Sequence, residues 1–219
     1  MSKFFDKFNL IKGYLLDDSI NTKMRKERFS IAWDVREQLG KIEIFMKREV
    51  ISKLIEKVKE NFSGFEFIDS GFSSGTKWAP FTICKSDWKI NGQIILAFDI
   101  EAGQYNFCHF YFGIAMHKSD WEINRESSEV LKQISERILS VLEKKDHGWK
   151  TDDEEWIVWK SFREPYSGAW QKEYFLEIIE KGPEYVADKY VEEFIVLKEV
   201  ENLVDEFVKE YKALTSNIH

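Results

Sequence analysis

The chain has 219 residues, of which 39 are acidic and 32 basic, for a formal net charge of −7 at pH 7. With 43% apolar and 32% charged residues and only three prolines, its composition is that of a folded protein and excludes a disordered one. Acidic and basic residues are mixed along the sequence, so no broad basic field for nucleic acid is present. The longest apolar runs, such as Ile94 to Phe98, fall far short of the roughly 20 residues that a bilayer requires. The start, Met1 to Lys7, interleaves charge with apolar residues and lacks the apolar block of a secretory signal. A cytoplasmic protein without membrane contact is expected.

In chain order, the first sixty residues read as helix. Val35, Leu39, Ile42, Phe45 or Met46, Ile51, Leu54, Ile55, Val58 and Phe62 recur at helical steps, with an interruption expected near Gly40. The basic cluster Lys23 to Arg28 reads as a solvated helix face. Ser63-Gly64 then turns the chain into Phe65 to Ile68, and three further strands are expected over Trp78 to Lys85, Gly92 to Glu101 and Asn106 to His117. Short polar connections between them favour an antiparallel meander. Val130, Leu131, Ile134, Ile138, Leu139 and Leu142 define a helix that ends near Lys144-Lys145. Trp156 to Phe162 returns to strand, followed by a breaker-rich loop, Arg163 to Gly168. A short helix over Gln171 to Ile179 is stopped by Gly182-Pro183. One long final helix follows, marked by Tyr190, Phe194, Leu197, Val204, Phe207 and Tyr211.

The expected fold is therefore α+β: a mainly antiparallel sheet of about five strands covered by helices, with long N- and C-terminal helices. Residues 1–62 read as a helical N-terminal extension and 63–219 as the α+β domain, the two forming one structural unit. The terminal helices offer a route to a homo-oligomer.

No catalytic motif stands out. Gly71 to Lys77 is the nearest approach to a phosphate-binding loop, but the Gly-x-x-x-x-Gly-Lys order is absent and a strand follows instead of a helix. Of the four histidines, His109, His117, His147 and His219, none has a metal-ligand neighbour at a useful spacing, and Cys84 and Cys108 read as buried strand thiols. The acidic run Asp152 to Glu155 lacks a His or Cys to complete a metal set. No metal and no cofactor is expected. Asp87-Trp88-Lys89, with Asp99 and Glu101 on the next strand, has the acid-x-lysine spacing of a metal-dependent nuclease and keeps an enzymatic alternative open. The most distinctive remaining feature is the ring-rich stretch Trp156, Trp159, Phe162, Tyr166 and Trp170, with Arg163 among the rings. Such clusters make either a core seam or a binding surface for proteins, bases or small cationic and planar ligands.

The strand end Phe110-Tyr111-Phe112-Gly113-Ile114, followed by Trp156-x-x-Trp159-x-x-Phe162-x-x-Pro165-Tyr166-x-x-x-Trp170 and a closing helix, resembles the C-terminal accessory region of proteins in the PD-(D/E)XK nuclease superfamily. The resemblance spans roughly residues 30–212. It implies an accessory domain without the nuclease core, concerned with target recognition or assembly, in a phage, antiviral-defence or anti-defence setting, and it transfers no catalytic residue. The functional expectation is a non-catalytic binding module that recognises a protein or nucleic-acid partner through Trp156, Trp159, Phe162, Arg163, Tyr166 and Trp170. A divergent metal-dependent hydrolase and a small-molecule-sequestering protein are the alternatives.

Overall fold

The structure, a computed structural model, describes residues 2–117, 128–151, 155–167 and 170–216, with side chains from residue 9 onward. The chain divides into two compact units, residues 1–45 and 46–219. The boundary falls inside a helix, so residues 46–62 belong with the α+β unit.

The first unit holds α1 (Ser2–Leu15) and the start of α2 (Thr22–Asn61). Between them Asp17 accepts a hydrogen bond from the Ser19 backbone N–H at 2.9 Å, and Asn21 caps the new helix by accepting from Met24 N–H at 2.9 Å. Short polar side chains that capture nearby backbone donors in this way end one helix and start the next. Within the basic cluster, Arg25 pairs with Asp18 at 3.0 Å, and the Arg28 guanidinium lies 4.7 Å from the Tyr14 ring centre. Helix α2 runs through Gly40 without the expected interruption.

The second unit is built on a five-stranded antiparallel sheet in the order β1-β2-β5-β6-β7. Its strands are β1 (Glu66–Asp69), β2 (Phe81–Cys84), β5 (Leu96–Gln104), β6 (Cys108–Met116) and β7 (Trp156–Ser161). A small hairpin, β3 (Lys89–Ile90) with β4 (Gln93–Ile94), is inserted between β2 and β5. The remaining helices are α3 (Glu129–Lys145), α4 (Lys172–Lys181), α5 (Pro183–Phe194) and α6 (Glu201–Ser216). The expected α+β class and antiparallel sheet are thus present. Among the described residues, no helix is long and apolar enough to cross a membrane.

Strand alternation separates the two faces of the sheet. On one face Phe98, Phe110 and Phe112 meet rings from the helices: Phe62 lies 5.8 Å from Phe98, Tyr190 5.5 Å from Phe110 and Phe194 5.7 Å from Phe112. Val50, Ile51, Leu54 and Val58 of α2 and Leu131, Ile134, Ile138 and Leu142 of α3 bury their apolar stripes in the same core. Ser128 caps α3 by accepting from Leu131 N–H at 3.4 Å.

The final helical stretch differs from the expectation of a single long helix. Gly182 closes α4 at a φ of 88°, and Pro183 opens α5 at once, since a first-turn proline has no N–H to lose. Between α5 and α6, Ile195–Val200 form a 3₁₀ segment. The buried Phe194, Leu197 and Val200 are spaced by three. Three residues per turn place all of them on one face, whereas an α-helix would fan them apart.

Candidate functional site

The opposite face of the sheet carries the chemistry. On the central strand β5, Ala97, Asp99 and Glu101 alternate with the core residues Phe98 and Ile100. Asp99 is opposite Gly113 and Glu101 opposite Tyr111 on β6, and Gly113 is in turn opposite Trp159 on β7. A register shift between Ile114 and Ala115 lets Trp156 and Trp159, three apart, both reach the Tyr111 ring, at 5.6 and 5.8 Å. Trp78 lies 6.0 Å from the same ring.

These residues surround a cavity of about 1020 Å³ whose lining includes Trp78, Asp99, Glu101, His117, Glu155 and Trp156, with the β3–β4 hairpin contributing Gln93 and Ile94. Asp99 is only 1% exposed. One carboxylate oxygen, Oδ2, lies 2.9 Å from His117 Nε2. Among the described residues, the other, Oδ1, has no hydrogen-bond partner, and neither does the buried Thr82 hydroxyl on the residue directly opposite in β2. Leaving a buried donor or acceptor unsatisfied costs about 1–3 kcal/mol, more for a charged group, and folded proteins seldom tolerate it without a reason.

Burial raises the Glu101 carboxyl to about 7; the charges of Asp99 and Glu155 add to the rise, against the Tyr111 hydroxyl, which donates to Glu101 Oε2 at 2.6 Å, and the imidazole of His117. Tyr111 itself is pushed far up, first by burial and then by its bond to Glu101. For His117, burial acts to lower the pKa, but the hydrogen bond and charge of Asp99, with Glu101 behind it, prevail and hold it above its ordinary value. Burial likewise lifts the Cys84 thiol to about 11. A carboxyl whose charge is disfavoured beside an imidazole whose charge is favoured, in a concave site, is characteristic of places where ligands or protons are handled.

Trp78 adds a second sign. Its backbone sits at a φ of 58°, a left-handed conformation that a bulky residue rarely adopts, while its indole is 57% exposed at the cavity edge. Strain of this kind gathers at ligand clamps. Trp78→Gly is expected to change the unfolding free energy by no more than about 1 kcal/mol, because relief of roughly 1–2 kcal/mol of left-handed strain offsets a lost ring contact of about 0.5–1.5 kcal/mol. Urea denaturation checks this, and a loss of several kcal/mol would make the indole a structural brace instead.

The six ring-cluster residues do not form one surface. Trp156 and Trp159 stand on the cavity face, with Lys150 Nζ 4.6 Å from the Trp159 ring centre. Phe162 lies in the core, 4.4 Å from Phe112 and 4.8 Å from Tyr190. Tyr166 donates its hydroxyl to Glu177 at 2.8 Å and packs on Tyr174. Trp170 donates its indole N–H to the Phe107 carbonyl, 4.5 Å from Tyr174 and beneath the Lys47 ammonium. The Arg163 side chain is exposed and paired with Asp146, which also holds the buried Lys160.

Of the four residues in the nuclease alternative, the structure brings Asp99 and Glu101 to one cavity. Lys89 is paired with Glu66, and Asp87 lies in a short 3₁₀ turn where its backbone carbonyl accepts from Lys212 at 2.6 Å. Among the described residues, no group of three or more His, Cys, Asp and Glu is placed to hold a metal. Two histidines have company that the sequence did not reveal: His117 with Asp99, and His147 with Glu143 at 3.2 Å. Asp152 to Glu154 and His219 lie outside the described residues.

Fold and site together define an α+β protein with an acidic, tryptophan-edged cavity on the polar face of an antiparallel sheet. No protein-family model, no curated protein and no solved structure matches the chain.

Proposed function

We propose that the chain is a non-catalytic binding module that seats a group of its partner in the cavity on the polar face of the sheet. The observation that carries this reading is Asp99, a buried lining residue of the cavity whose Oδ1 has no partner among the described residues. An acceptor left open at such cost is explained by a donor that arrives with the ligand. The acidic floor repels phosphates, which favours a protein partner over nucleic acid. The unpaired thiols Cys84 and Cys108 suit a reducing, cytoplasmic setting. The resemblance of residues 110–114 and 156–170 to a nuclease accessory region supports a role in assembly or target recognition within antiviral defence.

Affinity capture from the host, run in parallel with Asp99→Asn and Trp78→Gly, tests the reading. A stoichiometric protein held by the wild type and lost with either variant is expected. Capture undiminished by both overturns it.

A second reading is favoured by one observation, the Glu101 carboxyl at about 7 beside the Asp99–His117 pair. A carboxyl poised there exchanges protons readily at neutral pH. A metabolite that co-purifies and is consumed by the wild type but not by Glu101→Gln would move the assignment to acid–base catalysis.

A further inference from the structure

Resting on the reading of this cavity as a binding site, we propose that the group it takes is a nitrogen cation with hydrogens to donate, a primary ammonium or a guanidinium, borne by a free amine or by a Lys or Arg side chain.

The ionisable groups that line the cavity among the described residues are Asp99, Glu101, Glu155 and His117, with no Lys or Arg. His117 already occupies Asp99 Oδ2, so one imidazole faces three carboxyls. Among the described residues Asp99 Oδ1 has no hydrogen-bond partner, the Thr82 hydroxyl opposite it in β2 included. An ionised carboxylate only accepts, so its complement must donate, and a cation does so while also balancing the excess acid. A phosphate or carboxylate ligand would be repelled. The rim agrees with this chemistry: the exposed Trp78 ring supplies an electron-rich face on which ammonium and guanidinium groups rest. The left-handed backbone at Trp78 holds its ring there at a conformational cost.

The same charges make binding proton-linked. Glu101 is faced by Tyr111, Asp99, Glu155 and His117, and burial keeps it partly neutral near pH 7. A cation favours its ionised form, so Glu101 releases a proton on binding. His117, whose proton Asp99 helps to hold, repels the ligand when protonated and also loses that proton as pH rises. Both groups act in one direction, and affinity rises with pH through the neutral range.

Benzamidine, benzamide and benzoate share size and shape and differ in charge, which makes them decisive probes by calorimetry and tryptophan fluorescence. Benzamidine is expected to bind at least about tenfold more tightly than benzamide, with benzoate weakest. Asp99→Asn is expected to erase that preference, which should also grow between about pH 6 and about pH 8. Trp78→Gly provides a second variant, expected to weaken all cationic probes by roughly tenfold. N-propylguanidinium compared with acetyl-Gly-Arg-Gly-amide separates the sources: tighter binding of the peptide assigns a protein side chain, and tighter binding of the small cation a free small-molecule cation. Benzamide equal to benzamidine, or benzoate strongest, overturns the cation while the cavity stands as a binding site. If no probe of any charge binds at millimolar concentration, and Asp99→Asn changes neither capture nor fluorescence, the cavity reading falls as well.

Discussion

Glu101→Gln is expected to make the protein more stable than the wild type above neutral pH, by up to about 3 kcal/mol, and to leave it nearly unchanged in acid. The carboxyl has an ordinary value of 4.5 in the unfolded chain and about 7 in the folded one, where burial disfavours its charge. Below 4.5 both states hold the proton, and ionisation contributes nothing to the difference between them. Between 4.5 and 7 the folded state keeps a proton that the unfolded state has released, so stability falls as pH rises, and above 7 the full cost is in place. Glutamine has no proton to lose, and its side-chain carbonyl still accepts from the Tyr111 hydroxyl. Its advantage therefore opens through this window and then levels off. His117 acts in the same direction in both proteins: its raised value gives stability that is complete below the ordinary value of 6.5 and is lost as pH rises through the folded one. Urea denaturation across the pH range, followed by tryptophan fluorescence, measures the effect. Stability curves for wild type and variant that run parallel from acid to base would mean that Glu101 ionises freely. A bound cation should close the gap, because it stabilises the same carboxylate that folding penalises.

Gly113→Ala is expected to cost more than about 3 kcal/mol, above the usual range for overpacking, because the obstacle is backbone. A Cβ at this position would stand 2.1 Å from the Val158 carbonyl oxygen and 2.7 Å from Trp159 Cα. Neither atom can retreat without parting the β6–β7 ladder between Tyr111–Ala115 and Trp156–Ser161. Since β7 carries Trp156 and Trp159, the variant should lose ligand binding with its stability and should show faster amide exchange along that strand. Gly103→Ala on β5 is the control. Its Cβ would meet its nearest neighbour at 3.4 Å, and a change within about 1 kcal/mol is expected. Equal losses in the two variants would point to a general loss of glycine freedom and away from the close approach at Gly113.

Much of the fold was legible because its signals are local. Leu131, Ile134, Ile138 and Leu142 mark the buried stripe of α3 by spacing alone, and Lys144-Lys145 marks its end. On β5, Phe98 and Ile100 alternating with Asp99 and Glu101 already indicate a strand with one apolar and one acidic face. The break in the last helix was less legible, since the three-residue spacing of Phe194, Leu197 and Val200 is compatible with both helix types until packing selects one.

The site was legible only in part. Asp99 and Glu101 were readable as adjacent acids on one strand face, and Trp156 and Trp159 as distinctive rings. The sequence by itself determined the position of most helices and strands and the antiparallel class, because these depend on residues within a few positions of one another. Tertiary structure alone decided the register that sets Tyr111 against Glu101, His117 against Asp99 and Trp78 over Tyr111, since a shift of one residue in pairing would send each of these side chains to the opposite face. It also divided the ring-rich stretch, sending Phe162 to the core and Trp156 to the cavity. Side chains on a strand alternate while the sequence runs on, and the chain leaves the sheet after Ser161.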